Sequence, residues 1–143
     1  ELESGRFVTM LLAGLDARAR TLTCANAGHP PGIVLGRDGR VRARLESTAP
    51  PLGAFPELGV EDTPPVALHP GDIVVLVTDG VIESRGPGGS LLGTDGALRI
   101  VRAHRDESAK GIVDGLVAGV RDFTRGEGPG DDLAVVVCRV GSE

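Results

Sequence analysis

The apolar positions of this chain fall into short runs separated by turn residues, and the period of the pattern changes two-thirds of the way along. Phe7 to Leu15 is a continuous apolar run broken by Asp16-Ala17-Arg18. Thr21 to Ala27 is a second, ended by Gly28-His29-Pro30-Pro31. Runs of this length bounded by Gly, Pro and Asp predict strands. Ile33-Val34-Leu35 and Val41 to Leu45 flank Arg37-Asp38-Gly39-Arg40, and Asp-Gly between two apolar runs predicts a hairpin. Glu46 to Leu58 carries Pro50, Pro51 and Pro56 and reads as loop. Gly59 to Leu68 reads as an edge strand, because Pro64 and Pro65 have no N–H to donate at a sheet centre. Pro70-Gly71-Asp72 is a turn that launches Ile73 to Val77.

The last third is helical in period. Thr94 to His104 predicts a short helix capped by Thr94 or Asp95. From Ser108 to Phe123, the residues Ala109, Ile112, Val113, Leu116, Val117, Val120 and Phe123 follow the spacing of one helix face. Gly111, Gly115 and Gly119 recur every four residues there. Each costs about 1 kcal/mol relative to Ala, so close packing must offset them, either on a sheet or against another helix. Arg125 to Gly130 is a glycine-rich loop, and Leu133 to Val140 a final strand. Strands first, then helices, then a strand that returns to the sheet predict an α+β layered fold within one domain spanning 1–143.

Composition narrows the function classes. The chain has 143 residues, enough for one substantial core. With three Phe, no Trp and no Tyr, it lacks the aromatic platforms on which nucleic-acid bases stack. A formal net charge of −5 offers no basic surplus for a phosphate backbone, so no nucleic-acid partner is expected. No apolar run reaches the ~18 residues of a membrane span, and no signal peptide is visible. A cytoplasmic location without a membrane partner is therefore expected. Cys24 and Cys138 lie inside apolar runs and read as buried, reduced thiols.

Several chemistries are set aside. No G-x-S-x-G elbow or P-loop is present, neither Cys sits in an activating motif, and His29, His69 and His104 form no metal-ligand pair. Without those His ligands, a cupin-like β domain is also disfavoured. Val77-Thr78-Asp79-Gly80 approaches the nucleophile turn of haloacid-dehalogenase-like phosphatases, but Val77 stands where that turn needs Asp. What remains is carboxylate chemistry at strand tips. Thr78-Asp79-Gly80 closes one apolar run, and Gly130-Asp131-Asp132 opens another. Asp oxygens suit hard cations such as Mg²⁺ and Mn²⁺. Paired ions of this kind about 4 Å apart suit phosphate-ester hydrolysis by a metal-activated water.

Six segments then make a resemblance specific: Phe7-Val8-Thr9-Met10, Ala25-Asn26-Ala27-Gly28-His29-Pro30-Pro31, Pro51-Leu52-Gly53, Leu68-His69-Pro70-Gly71-Asp72, Thr78-Asp79-Gly80-Val81-Ile82-Glu83-Ser84 and Gly130-Asp131-Asp132-Leu133. In this order they resemble the SpoIIE-like bacterial branch of the metal-dependent type-2C (PPM) protein serine/threonine phosphatases. The resemblance runs through essentially the whole chain. It implies an antiparallel β-sandwich flanked by helices in α-β-β-α layers, with the metal site at one end.

It further implies that Asp79 and Asp131 are metal ligands for Mn²⁺ or Mg²⁺. Asp132, Thr78, Gly80, His29 and Asn26 take orienting roles, and His29 with Gly28 also reads simply as the closing of a turn. The implied reaction is hydrolysis of phosphoserine or phosphothreonine on a regulatory phosphoprotein, with an anti-anti-sigma factor as the expected substrate. The family's Gly-Asp-x-x-Asp and Asp-x-x-Gly-His-Gly segments, the second of which carries the carboxylate bridging both metals, do not occur in this sequence. The chain is therefore expected to correspond to the C-terminal portion of a phosphatase domain, weakly active or inactive alone. Its sheet edges are expected to be uncovered, which favours a homodimer. The alternative expectation is a catalytically inactive module that binds a partner in a sigma-factor regulatory pathway.

Overall fold

A computed structural model of the chain describes residues 6–55, 59–126 and 132–141. Two antiparallel sheets form from the apolar runs. One has the order β1 (Met10–Asp16), β2 (Thr21–Ala27) and β5 (Val66–Ala67). The other has the order β4 (Val41–Leu45), β3 (Gly32–Leu35), β6 (Ile73–Val77) and β7 (Val135–Arg139). Three α-helices accompany them: α1 (Asp79–Ile82), α2 (Gly93–Ala103) and α3 (Ala109–Phe123).

Two apolar cores separate the layers. Leu22 and Cys24 of β2, Val34 of β3, Leu45 of β4 and Val74 of β6 pack between the sheets. Ile33, Leu35, Ile73 and Val75 point to the other face of the four-stranded sheet, where they meet Val81, Leu98, Val101, Ile112, Leu116 and Val120 of the helices. Alternate residues of β3 and β6 thus serve different cores, which explains why these strands are apolar at every position. The described layers run sheet, sheet, helices. On the outer face of β1-β2-β5, Leu12 is 64% exposed, and Leu15, on the inner face of the same strand, is 53% exposed. The sheets also part along the side where β1 and β7 are edges. An apolar cleft of about 250 Å³ lies there, lined by Ala13, Leu15, Val136 and Cys138 among others.

Several predicted elements change length. The edge strand expected over Gly59 to Leu68 contracts to Val66–Ala67, since Pro64 and Pro65 supply no ladder donor. The first strand begins at Met10 rather than Phe7, although Val8 still bridges Leu52. α2 begins at Gly93, and neither Thr94 nor Asp95 caps it: Leu92 takes the N-cap position without a side-chain bond. α3 follows its pattern, with Ser108 Oγ accepting from Gly111 N–H as N-cap. Gly115 and Gly119 of α3 answer to α2 and the residue that ends it, not to the sheet, while Gly111 meets the Glu107 side chain. A Cβ on Gly115 would lie 2.5 Å from the His104 ring, and one on Gly119 would lie 2.7 Å from Ile100, a residue of α2. Cys24 is buried, whereas Cys138 is half-buried. Burial, and then the Asp62 carboxylate, push the Cys24 thiol above its ordinary range. Among the described residues no helix is long and apolar enough to cross a membrane.

Candidate functional site at one end of the sandwich

Antiparallel pairing decides which chain segments share an end of the four-stranded sheet. Gly32 pairs with Leu45, Ile33 with Val75, and Val77 with Val135. The end of β6, the start of β7 and the start of β3 therefore lie side by side, and the predicted site residues sit in the segments just beyond them. Asp131 lies outside the described residues; Asp132, Thr78, Asp79, Gly80, His29 and Asn26 lie within them.

β6 has a carboxylate near each end, and the two are used differently. Asp72 at the start is buried, accepts the His69 N–H at 2.8 Å and pairs with Arg42. Its charge is compensated within the fold. Asp79 at the other end is exposed, and among the described residues the hydrogen bonding of its carboxylate is confined to accepting the N–H of Gly80 at 2.9 Å. The chain turns directly from strand into α1 at this point. Thr78 takes the extended N-cap conformation, and Ser84 Oγ donates to Gly80 O at 2.7 Å to close the short helix. Asp79 thus begins a helix whose buried Val81 anchors it to the core.

Thr78 joins the two strand tips. Its N–H donates to Ala134 O at 3.1 Å, and its Oγ1 accepts from Ala134 N–H at 3.0 Å and donates to Asp132 O at 3.2 Å. These bonds fix the approach to β7 against the end of β6, so that Asp132 and Asp79 occupy the same end of the sheet. Asp132 is exposed.

Asn26 is wholly buried at the end of β2. Its Nδ2 donates to Leu45 O and His29 O, both at 3.1 Å, and its Oδ1 accepts from His29 N–H at 2.9 Å. The amide is a clamp that ties β4 to the Gly28-His29 turn. Gly28 has φ +67, and a Cβ there would lie 2.5 Å from Pro51, so the turn depends on glycine. His29 Nδ1 lies 3.2 Å from Thr9 Oγ1. Pro30 and Pro31 share a small apolar cavity with Val77 and Ile82, which sets this turn beside α1.

Ser47 and Thr48, read in sequence only as loop, also belong to this end. Ser47 Oγ accepts from Gly28 N–H at 2.9 Å and Thr48 Oγ1 from Asn26 N–H at 3.3 Å. Adjacent hydroxyls ahead of Pro50-Pro51 were the available signal. The donor chemistry here is carboxylate oxygen, which suits a hard cation. Among the described residues, however, no three His, Cys, Asp or Glu side chains converge closely enough to hold one. Asp79 and Asp132 alone do not make a complete ligand set.

The chain is similar to known proteins over most of its length. The family model described as Stage II sporulation protein E (SpoIIE) matches residues 1–141. The phosphoserine phosphatase RsbU of Bacillus subtilis is 29% identical over 142 residues, covering 96% of this chain and 40% of that protein. Protein IcfG of Synechocystis is 29% identical over 98 residues, which are 68% of this chain and 15% of that one. Among solved structures, the SiaA-PP2C domain of Pseudomonas aeruginosa superposes with a TM-score of 0.76 at 23% identity, covering 90% of this chain and 50% of that chain. The RsbU and RsbW domains of Rv1364c from Mycobacterium tuberculosis give 0.75 at 25% identity, covering 94% and 38%. The fold is that of PP2C phosphatase domains, and the chain spans half or less of the length of each of these relatives.

Proposed function

The chain belongs to the SpoIIE family, and from that premise we propose that it is the C-terminal part of a metal-dependent protein serine/threonine phosphatase acting on a phosphorylated regulatory protein. The observation that carries this reading is the Thr78 clasp, which holds the tip bearing Asp79 against the segment bearing Asp132. Asp79 and Asp131 are the proposed ligands of Mn²⁺ or Mg²⁺, which when bound would supply an activated water and neutralise phosphate charge. The chain's own residues set the stage. Asp79 presents its carboxylate outward, Gly80 and Ser84 close the helix turn that aims it, and Asp132 orients the segment beside it. Asn26 holds the His29 turn in place behind them.

The family's Asp-x-x-Gly-His-Gly segment does not occur in the 143 residues, so the remaining ligands of a two-metal site are proposed to come from other residues of a longer protein. The exposed outer face of β1 supports cover by such residues or by a second copy of the chain. RsbU is a phosphoserine phosphatase, and the mycobacterial relative joins RsbU and RsbW domains. Both support a substrate within a sigma-factor regulatory pathway, with an anti-anti-sigma factor as the proposed phosphoprotein.

In a protein that carries this chain together with an Asp-x-x-Gly-His-Gly segment, Asp79→Ala is expected to abolish Mn²⁺-dependent release of phosphate from a phosphoserine protein. Retained turnover would overturn the assignment. A second reading, an inactive partner-binding module, rests on the absence of the Asp-x-x-Gly-His-Gly segment from the 143 residues. The 143-residue chain assayed with p-nitrophenyl phosphate and Mn²⁺ is expected to show little turnover.

A further inference from the structure

The end of the four-stranded sheet remote from Asp79 holds a concavity of its own. Leu35 pairs with Ile73, and Ile73 with Arg139. Just beyond that row the β3–β4 turn, the Pro70-Gly71 turn and the end of β7 come together. Gly71 N–H donates to Val140 O and Val140 N–H to Asp72 O, both at 2.9 Å. The connection between α2 and α3 closes the fourth side, because Arg139 Nη1 donates to the carbonyls of Asp106 and Glu107. The cavity they line is open to solvent and measures about 520 Å³.

Its described lining is basic in an acidic chain. Arg37 comes from the β3–β4 turn, Arg105 from the α2–α3 connection and Arg139 from the end of β7, and among the described lining residues Asp106 alone brings a carboxylate. The chain as a whole has a formal net charge of −5, so three arginines around one hollow are a local inversion of sign. A concave surface lined by one sign of charge concentrates counter-ions.

Internal structure uses only part of this basic charge. Arg105 donates from Nη1 to Arg102 O at 3.0 Å, and its Nη2 stands 3.8 Å from Asp106. That exposed pair contributes little. Both bonds of Arg139 leave from one nitrogen, while a guanidinium carries five donors. Arg37 makes no hydrogen bond or ion pair among the described residues. Its aliphatic stem lies over Gly71, where a Cβ would come within 3.1 Å of it. Gly71 has φ +90, so the turn that seats Arg37 is one that glycine alone adopts without strain.

We propose that this cavity is a binding site for a small phosphorylated molecule. Guanidiniums delivered by three separate segments suit a group whose oxygens point in several directions, as those of a phosphate do, better than a planar carboxylate, which one or two forks saturate. The volume lies within the range of small-molecule sites. It exceeds the needs of a lone phosphate and leaves room for an organic body against Pro70 and Val140. The site is distinct from the strand-tip aspartates and does not depend on the phosphatase reading.

The test is calorimetric titration of the chain with pyrophosphate and with ATP, in EDTA so that no metal recruits either to Asp79, with citrate as the carboxylate control. Saturable binding of pyrophosphate or ATP, tighter than citrate and weakened by salt, is expected. Tighter ATP than pyrophosphate would place the organic body in the cavity. Arg37→Glu is expected to weaken binding at least about tenfold, the equivalent of one charge-assisted hydrogen bond, and to melt at the wild-type temperature. Arg105→Gln should weaken it in the same sense, and Asp79→Asn should leave it unchanged. Absence of saturable binding, citrate binding as tightly, or wild-type affinity in Arg37→Glu would each overturn the proposal. So would a loss of affinity confined to Asp79→Asn.

Discussion

β1 and β6 are both written as unbroken apolar runs, yet they occupy opposite environments. β6 lies inside the four-stranded sheet with β3 on one side and β7 on the other, and Ile73, Val74 and Val75 are all buried. One of its faces meets the second sheet and the other meets the helices. β1 is an edge strand whose one partner strand among the described residues is β2, and most of its residues are exposed. An apolar run therefore records what a strand is able to bury, whereas the neighbours it finds decide how much it does bury. β1 carries the sequence of a covered strand and the burial of an uncovered one, and the cleft beside it shows the same mismatch between the sheets.

The sharpest test of this contrast is a matched pair of truncations. Leu35→Ala removes a fully buried side chain from the core under the helices and is expected to destabilise the chain by about 2–5 kcal/mol. Leu12→Ala on β1 is expected to change stability by less than about 0.5 kcal/mol. Urea denaturation of both variants measures the difference. Similar losses would mean that the outer face of β1 is covered in solution.

Asn26→Ala probes the end of the sandwich where the sheets meet. It removes the amide that bonds Leu45 O and both backbone groups of His29. Unfolding free energy is expected to fall by about 1–3 kcal/mol, since buried backbone groups are left unpaired. Proteolytic nicking near the Gly28–Pro31 turn should rise with it. Unchanged cleavage would show that the prolines alone hold the turn.

The smallest effect concerns the two thiols. Cys138 lines the cleft between the sheets, while Cys24 is 1% exposed, so a thiol reagent is expected to modify Cys138 first and Cys24 only on unfolding. Cys24 also gives a pH signature. Its folded pKa is raised above 9.0, so the native state holds this proton more tightly than the unfolded chain does. The resulting stabilisation is complete below the unfolded pKa and is lost as pH rises through the folded one. The urea midpoint should decline in the alkaline range, and Cys24→Ala should flatten that decline.

What could be read in sequence follows the range of the interactions concerned. The Asp38-Gly39 hairpin and α3 were legible because a turn pair and a helical period are local signals. Gly39 has φ +79, and the Ser108 cap of α3 is a detail that the structure adds. Of the strand-tip aspartates, Asp79 follows the end of β6 and Asp132 precedes β7, while Asp131 lies outside the described residues. α1 was missed, since four residues carry no period, although Thr78-Asp79 is a fair N-terminal signature. The partners of Gly115 and Gly119 stayed open because the residues they meet, His104 and Ile100, directly follow or belong to another helix. The arginine-lined cavity was invisible for the same reason: Arg37, Arg105 and Arg139 are brought together by topology alone.

The clasp made by Thr78 has a consequence in time as well as in space. Thr78 and Ala134 are separated by 56 positions in sequence. Contacts between segments so far apart form slowly, because the intervening chain must first be ordered. On the ribosome, Asp79 emerges long before the segment that completes its surroundings. The strands β3, β4 and β6 can pair meanwhile, but the strand-tip site waits for β7. Assembly of the site is thereby tied to one of the last pairings the chain makes, and an incompletely folded molecule would lack the aligned strand tips.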